Sequence, residues 1–128
     1  MIELRYCAPN ELDISGTVAE LHDLRRAVLK AAASSAAVVE IDADSSIDPS
    51  PYDTVLSKLI VETVSGPTKV SVTNDTVHIG GSPNCLEKLA SFLNFKSDAQ
   101  QGDHAHYEHY EGNQWIAPDS VPLVLSVR

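Results

Sequence analysis

The sequence predicts an α+β fold in which an antiparallel sheet carries two helices on one face. Three observations predict this class. A segment that begins at Ile14 aligns without gaps with one that begins at Ile79, each aligned segment leads into a helical pattern of apolar residues, and strand-like segments flank both helices. Short connections favour antiparallel neighbours, and each helix has one apolar stripe to bury. We therefore expect two internally duplicated ββαββ units.

The first unit is expected to open with two strands and a helix. Ile2–Tyr6 and Leu12–Ser15 alternate apolar with polar residues, which is typical of strands. Thr17 stands at a helix N-cap position, and Glu20 three residues later completes a capping box. A helix is therefore predicted near 18–32.

Two more strands are expected after this helix. Ala37–Asp42 and Val55–Val64 are both rich in β-branched residues. The pattern over 53–64 also fits a short helix, and the sequence leaves these two alternatives open.

The strands of the second unit follow the same order. Val70–Thr73 and Thr76–Ile79 are separated by Asn74-Asp75, residue types that tolerate a tight hairpin turn. Ala105–Glu111 and Leu123–Val127 are the remaining strand candidates.

The second helix has its own start signals. Ser82 corresponds to the N-cap of the first helix, and Pro83 follows at the first helical position, where its fixed φ angle is favourable. A helix is predicted near 83–94. The polar stretch 97–103 that follows is typical of a loop.

A second pair of segments supports the duplication. Ile47–Ser57 aligns without gaps with Ile116–Ser126 and shares five identities with it. Chance matching in a chain rich in Val, Leu and Ser is the alternative explanation. On the duplication hypothesis, residues 1–128 form a single domain with pseudo-repeats 1–66 and 67–128.

Composition excludes several classes of protein. The chain of 128 residues is 43% apolar, too apolar for a disordered chain, and its formal net charge is −9. It has no run of about 20 apolar residues that could span a membrane, and the start lacks the pattern of a secretory signal. Binding to nucleic-acid phosphates requires a cluster of lysine and arginine residues, and the sequence shows none. We expect a cytoplasmic protein with reduced Cys7 and Cys85 and with neither membrane nor nucleic acid as a partner.

The densest group of functional side chains lies in the segment 104–111. His104, His106 and Glu108 would share one face of a strand, and two imidazoles with a carboxylate are ligands that zinc accepts. Other ligand sources are few, so a metal site is the minor alternative. The simpler interpretation is a polar sheet edge or face that displays these side chains to solvent.

A protein-binding surface is the third interpretation of this segment. Tyr107, Tyr110 and Trp115 lie in or beside it, and tyrosine and tryptophan are frequent anchors of interfaces. Residues 31–57 and 97–127 each contain five acidic residues and no lysine or arginine. They could form one acidic face that steers a basic partner, or they could serve solubility alone.

Catalysis receives little support from the sequence. His106 and Glu108 could act as an acid–base pair, but the chain has no nucleophile elbow, P-loop or dinucleotide-binding glycine pattern. Gly80-Gly81 precedes a helix cap, where glycine serves turn geometry more often than phosphate binding. We expect no enzymatic activity and no cofactor.

In the carboxyl-terminal segment, His104, His106, Glu108 and Tyr110 precede a Ser-x-Pro-Leu-Val motif at 120–124. This segment resembles the ending of family 32 of the immunity proteins from bacterial polymorphic toxin systems. That ending pairs histidine and glutamate with aromatic residues and then has a Ser-x-Pro-Leu-Val motif. The leading segment Leu12–Leu24 is also similar. The residues that carry the resemblance at the carboxyl terminus are His104, His106, Glu108, Tyr110, Ser120, Pro122, Leu123 and Val124. His109 departs from the pattern, where a further aromatic residue is expected.

The resemblance implies a non-enzymatic protein that binds and neutralises a cognate toxin domain. If that toxin is a nuclease, an acidic inhibitor could cover its basic cleft. The predicted contact residues are His104, His106, Tyr107, Glu108, Tyr110, Glu111, Trp115 and Asp119. The protein would be a monomer or a homodimer. A metal-binding protein or hydrolase that uses the histidine segment and a self-associating structural module are the alternative functions.

Overall fold

The computed structural model describes residues 1–34 and 37–128 and confirms the α+β class. The described residues form two helices and two mixed sheets of five and four strands. The elements in chain order are β1 (Glu3–Cys7), β2 (Glu11–Gly16), α1 (Val18–Ala33), β3 (Val38–Asp42), β4 (Thr54–Leu56), β5 (Lys58–Thr63), β6 (Lys69–Thr73), β7 (Thr76–Gly81), α2 (Pro83–Phe92), β8 (His104–Tyr107) and β9 (Leu123–Val127).

The single antiparallel sheet that we predicted is wrong. The five-stranded sheet has the order β4-β1-β2-β9-β8, and the four-stranded sheet has the order β3-β5-β7-β6. Each sheet contains one parallel pair, β2 with β9 and β5 with β7. The prediction paired strands that are close in sequence, for which a short connection dictates an antiparallel direction. β5 and β7 are joined by a connection that contains the strand β6, and β2 and β9 are separated by most of the chain, so that this constraint does not apply to them.

The two halves of the chain exchange strands. β2 of the first hairpin pairs with β9 of the second half, which in turn pairs with β8. β7 of the hairpin β6–β7 in the second half pairs with β5 of the first half, which in turn pairs with β3. The pairings therefore follow the same plan twice. The duplication of the sequence itself stays a prediction.

The strand pairing gives a different correspondence between the two halves from that of the second sequence alignment. Leu12 faces Leu123 across β2 and β9, and Val77 faces Leu59 across β7 and β5, so β5 corresponds to β9. The alignment of Ile47–Ser57 with Ile116–Ser126 instead matches β4 with β9, which occupy different positions in their sheet. That second alignment is therefore not a structural correspondence.

Both helices begin where the sequence predicts. Thr17 Oγ1 accepts a hydrogen bond from the backbone N–H of Glu20, whose carboxylate accepts one from the backbone N–H of Thr17, and Ser82 Oγ caps α2 in front of Pro83. The helices pack on each other, and each contacts strands of both sheets rather than one face of one sheet. Among the described residues, neither helix is both long and apolar enough to cross a membrane.

Other local predictions have mixed outcomes. The ambiguous segment 53–64 forms the strands β4 and β5, and Asn74 takes the left-handed backbone conformation, with φ of 57°, in the turn between β6 and β7. The stretch 97–103 is a loop, and both cysteines are free thiols. The expected strand Ala105–Glu111 is wrong at its end, because β8 stops at Tyr107 where β9 ceases to pair with it.

The outer face of the five-stranded sheet is partly covered by the connection between β3 and β4. Arg5 Nε donates a hydrogen bond to the backbone carbonyl of Asp48 in this connection, at 3.1 Å. Asp13 lies in the same row of the sheet as Arg5 and is only 8% exposed. Ser126 Oγ donates a hydrogen bond to its carboxylate at 2.9 Å. Burial nevertheless raises the pKa of Asp13, because desolvation outweighs Ser126 and Arg5.

This burial predicts a pH-dependent effect of the substitution Asp13→Asn. A carboxyl group with a raised pKa in the folded state favours folding below its unfolded pKa and loses that contribution as the pH rises through its folded pKa. Between about pH 4 and pH 7, the stability of D13N relative to the wild type should therefore increase with pH. Urea unfolding at several pH values measures this difference. A relative stability of D13N that decreases over the same interval would contradict the prediction.

Candidate functional site

Five of the eight predicted contact residues meet beside the end of β8. They line a pocket of about 280 Å³ between α2, the end of β8 and the segment that follows it. We call it the aromatic pocket. Its lining residues are Lys88, Phe92, His106, Tyr107, Glu108, Tyr110, Asn113, Trp115 and Ile116.

The floor of the aromatic pocket is a buried aromatic pair. The rings of Phe92 and Tyr107 are 5.2 Å apart at an interplanar angle of 78°, the edge-to-face arrangement that aromatic pairs favour. Tyr107 is only 1% exposed, so it is a core residue. The structure thus places this predicted partner anchor in the core, where it supports the floor of the pocket. The alternation along β8 turns Tyr107 inward, on the face opposite to His106.

The hydroxyl group of Tyr107 is buried in the protein interior. It lies near Thr68, but neither the Tyr107 hydroxyl nor Thr68 Oγ1 has a hydrogen-bond partner of ordinary geometry among the described residues. Burial raises the pKa of Tyr107 to about 12, against a smaller lowering by Thr68. The phenol is therefore neutral at physiological pH, and the role of Tyr107 is structural.

The rim of the pocket is formed by half-exposed and exposed groups. Lys88 Nζ lies 5.9 Å from the centre of the Trp115 ring, within the range of a cation–π interaction. The backbone N–H of Trp115 donates to Asn113 Oδ1 at 2.7 Å, and His109 Nδ1 lies 2.8 Å from the carbonyl oxygen of Ile116. These two contacts fix the backbone on either side of the indole ring. Tyr110 is 67% exposed and is available for contact.

The two histidines of β8 stand on the outer face of the five-stranded sheet. The rings of His104 and His106 are 5.2 Å apart and nearly perpendicular. Glu108 lies beyond the last residue of the strand, so the alternation that would align it with both histidines no longer holds. Within residues 1–34 and 37–128, no group of three or more His, Cys, Asp or Glu side chains could hold one metal ion. The proposed metal ligands His104, His106 and Glu108 are thus not assembled.

Two other predicted contact residues lie outside the aromatic pocket. Glu111 is exposed in the turn after Tyr110. Asp119 pairs with Lys69 at the start of β6, with 2.8 Å between the carboxylate oxygen and the ammonium nitrogen, and this partner lowers the pKa of Asp119. The carboxylate of Asp119 therefore already has a cation beside it.

A second depression, the outer-face groove, lies next to the aromatic pocket. It has a volume of about 200 Å³, and His106 and Glu108 line both cavities. Its polar lining also includes Asn10, Glu11 at the start of β2 and Tyr52 from the connection between β3 and β4. Sequence reasoning missed these residues, because only the parallel pairing of β2 with β9 brings the first half of the chain close to β8.

The acidic face predicted from residues 31–57 and 97–127 forms only in part. Tyr52 from the first segment reaches the groove that Glu108 lines. Glu40 and Asp42, however, lie on β3 at the edge of the four-stranded sheet, and Glu40 pairs with Lys58 at 2.5 Å. The acidic residues of the first segment are therefore divided between two sheets.

Comparison with known proteins identifies one related family. The family model of Immunity protein 32 matches residues 76–127. The chain is therefore similar to this family over less than half of its length. Neither the curated proteins nor the solved structures include a match to the chain. The matched segment contains β7, α2, β8 and β9, and every residue that lines the aromatic pocket falls within it.

The core position of Tyr107 makes its structural role testable. Tyr107→Phe removes a buried hydroxyl without a good partner, so we expect the free energy of unfolding to stay the same or to rise by up to about 1 kcal/mol. Tyr107→Ala should cost about 3–5 kcal/mol, because it empties the floor of the aromatic pocket. Urea denaturation measures both changes. A loss of more than about 1 kcal/mol in Y107F would contradict the prediction and indicate a hydrogen-bonded hydroxyl.

Proposed function

We propose that this chain neutralises one bacterial toxin domain by binding it through the aromatic pocket and the outer-face groove. The observation that carries the proposal is the position of the aromatic pocket inside the segment that matches an immunity-protein family. Immunity implies a toxin as the protein partner. The pocket is a concave, partly apolar surface next to exposed polar groups, which is the composition of an interface centre and its rim.

The side chains of the pocket suit the role of anchors. Trp115 is half-buried, its ring lies beside the Lys88 ammonium group, and its backbone is held on both sides, so its side chain is partly ordered before a partner covers it. Tyr110 stands exposed beside it. Tryptophan and tyrosine are enriched among residues that dominate binding energy. Tyr107 contributes by supporting the floor, not by direct contact.

The charge of the surface favours a basic partner. Glu11 and Glu108 line the outer-face groove without a lysine or arginine, and Glu111 is exposed nearby in sequence. The whole chain has a formal net charge of −9. Complementary charges accelerate association with a basic surface. A nuclease toxin, whose cleft must attract nucleic-acid phosphates, is the class of target that this charge suits best.

The proposed mechanism is occlusion without catalysis. His106 and Glu108 are exposed at the boundary between the two cavities, where a bound protein would cover them. A non-enzymatic inhibitor needs only a contact area that blocks the toxin cleft or its substrate access. The stoichiometry of inhibition should therefore be one chain for each toxin domain that it inactivates.

The direct test uses a candidate toxin domain, sought among the products of the genes adjacent to the gene for this chain. Co-expression of the wild-type chain should restore growth of cells that produce this domain, and the purified proteins should bind. Trp115→Ala should weaken binding by about 30-fold or more, because truncation of a central anchor costs about 2 kcal/mol or more. Isothermal titration calorimetry measures the affinity.

Val38→Ala is the matched control for this experiment. Val38 is 61% exposed on β3 in the other sheet, so its truncation should leave affinity unchanged. Equal affinities for wild type, W115A and V38A would refute the aromatic pocket as the contact site. A toxin domain that neither binds the wild-type chain nor is inhibited by it would refute the proposed function.

The charge contribution has its own test. Glu108→Gln and Glu111→Gln together should slow association with the toxin domain and reduce the dependence of the association rate on salt. Asp42→Asn with Glu62→Gln removes the same charge from exposed positions on the four-stranded sheet and should have a smaller effect. Stopped-flow measurements at several salt concentrations compare the two double variants. The same salt slope in the wild type and in E108Q/E111Q would exclude the steering role.

A further inference from the structure

β8 is an edge strand with an unpaired side. In the order β4-β1-β2-β9-β8 it pairs with β9 alone, among the residues that the structure describes. The strand has four residues and is followed directly by the segment that builds the aromatic pocket. An open edge offers backbone groups to which an extended segment can hydrogen-bond.

The hydrogen-bond pattern shows which backbone groups face outward. The backbone N–H of Val127 donates to the carbonyl of Asp103 at 2.8 Å, and His104 lies opposite Ser126. In an antiparallel ladder this places His104 and His106 in the pairs that do not bond to each other. The N–H and C=O groups of His104 and His106 therefore point away from β9 toward the open edge.

The edges of the four-stranded sheet differ from β8. The outer edge of β6 is covered by the segment 115–121. The Thr68 N–H donates to the carbonyl of Trp115, the Ala117 N–H donates to the carbonyl of Thr68, and the Val121 N–H donates to the carbonyl of Val70. On β3, Glu40 and Asp42 stand at positions whose backbone groups face outward, and charged residues at an edge discourage strand addition. Among the described strands, β8 alone combines an open edge with the aromatic pocket.

We infer that the toxin partner adds an extended segment to the open edge of β8 and places an apolar side chain in the aromatic pocket. This inference rests on the proposed function. Strand addition supplies affinity through backbone hydrogen bonds and specificity through pockets for alternate side chains. Four residues of β8 offer few such bonds, so the aromatic pocket must provide the anchor.

The two faces of β8 define the chemistry of the added segment. Ala105 and Tyr107 turn to the inner side, where the aromatic pocket accepts an apolar side chain. His104 and His106 turn to the outer face, where Glu108 lines the groove together with Glu11. The occupant is therefore an extended toxin segment in which apolar residues alternate with lysine or arginine.

Proline substitution separates the backbone contact from the side-chain contact. His106→Pro removes the outward N–H without removing a bond between β8 and β9, because proline is tolerated on an edge strand where the N–H faces solvent. With the toxin domain named above as the probe, we expect H106P to weaken binding about tenfold more than His106→Ala does. His106→Ala measures how much the imidazole side chain alone contributes to binding of the toxin domain.

Glu40→Pro is the matched control. Glu40 pairs with Ile60 as His106 pairs with Val124, and its N–H also faces outward, because the N–H of Ala43 donates to Ser57 at 2.9 Å. E40P should bind the toxin like the wild type. Thermal unfolding should show that both proline variants are folded. Hydrogen exchange adds a readout in the wild type, because the amides of His104 and His106 should gain protection in the complex.

The outcomes distinguish this inference from the proposed function. Preferential loss of binding in H106P together with new protection of the two amides supports strand addition. Binding of H106P equal to that of H106A, with no new protection, overturns it while the immunity function stands. A wild-type chain that does not bind the toxin domain overturns both. A dimer of the free chain, measured by light scattering and disrupted in H106P, would identify a second copy as the occupant and also overturn the inference.

Discussion

The structure depends on the parallel pairing of β2 with β9. This pairing joins the first hairpin of the chain to its last strand and thereby builds the five-stranded sheet from both halves. β8 can join that sheet only through β9. The position of β8 next to α2, and hence the aromatic pocket, follows from a contact between strands at opposite ends of the sequence. The loop-closure entropy of such a contact must be offset by burial of the apolar inner face, which includes Leu12 and Leu125.

Local features could be predicted from the sequence, and long-range ones could not. The caps at Thr17 and Ser82 and the turn at Asn74 depend on neighbours within a few residues, so their residue types were sufficient. The direction of strand pairing has no such local signature. The segment around His106 was identified by composition, but the inward turn of Tyr107 depends on the register with β9. Glu11 joins the site only through tertiary packing and could not be found in advance.

Burial on the outer face of the five-stranded sheet illustrates the same limit. Alternation along β2 assigns Leu12 and Ile14 to the core and Asp13 to the opposite face. In a sheet that is covered by helices on one side only, that opposite face is expected to be exposed to solvent. The connection between β3 and β4 instead crosses this face and makes Asp13 a buried carboxylate. The cost of its desolvation is partly offset by Ser126 on β9. A polar contact thus reinforces the same long-range pairing that the apolar face requires.

The two halves of the chain have similar strand pairing but differ in the side chains around their cavities. Another cavity, beside α1 and β3, is lined by Asp23 and Ile41. Asp23 aligns in sequence with Lys88 of the aromatic pocket, and Ile41 has the same position in the strand pairing as Tyr107. Each half of the chain thus has a cavity beside its helix and an edge strand, but only in the second half is that strand followed by a segment that contains Tyr110 and Trp115. An anchor for a partner requires large, rigid side chains at the rim as well as a concave surface. The proposed binding function therefore depends on the side chains of the second half, whereas the similar strand pairing supplies only the position in which they stand.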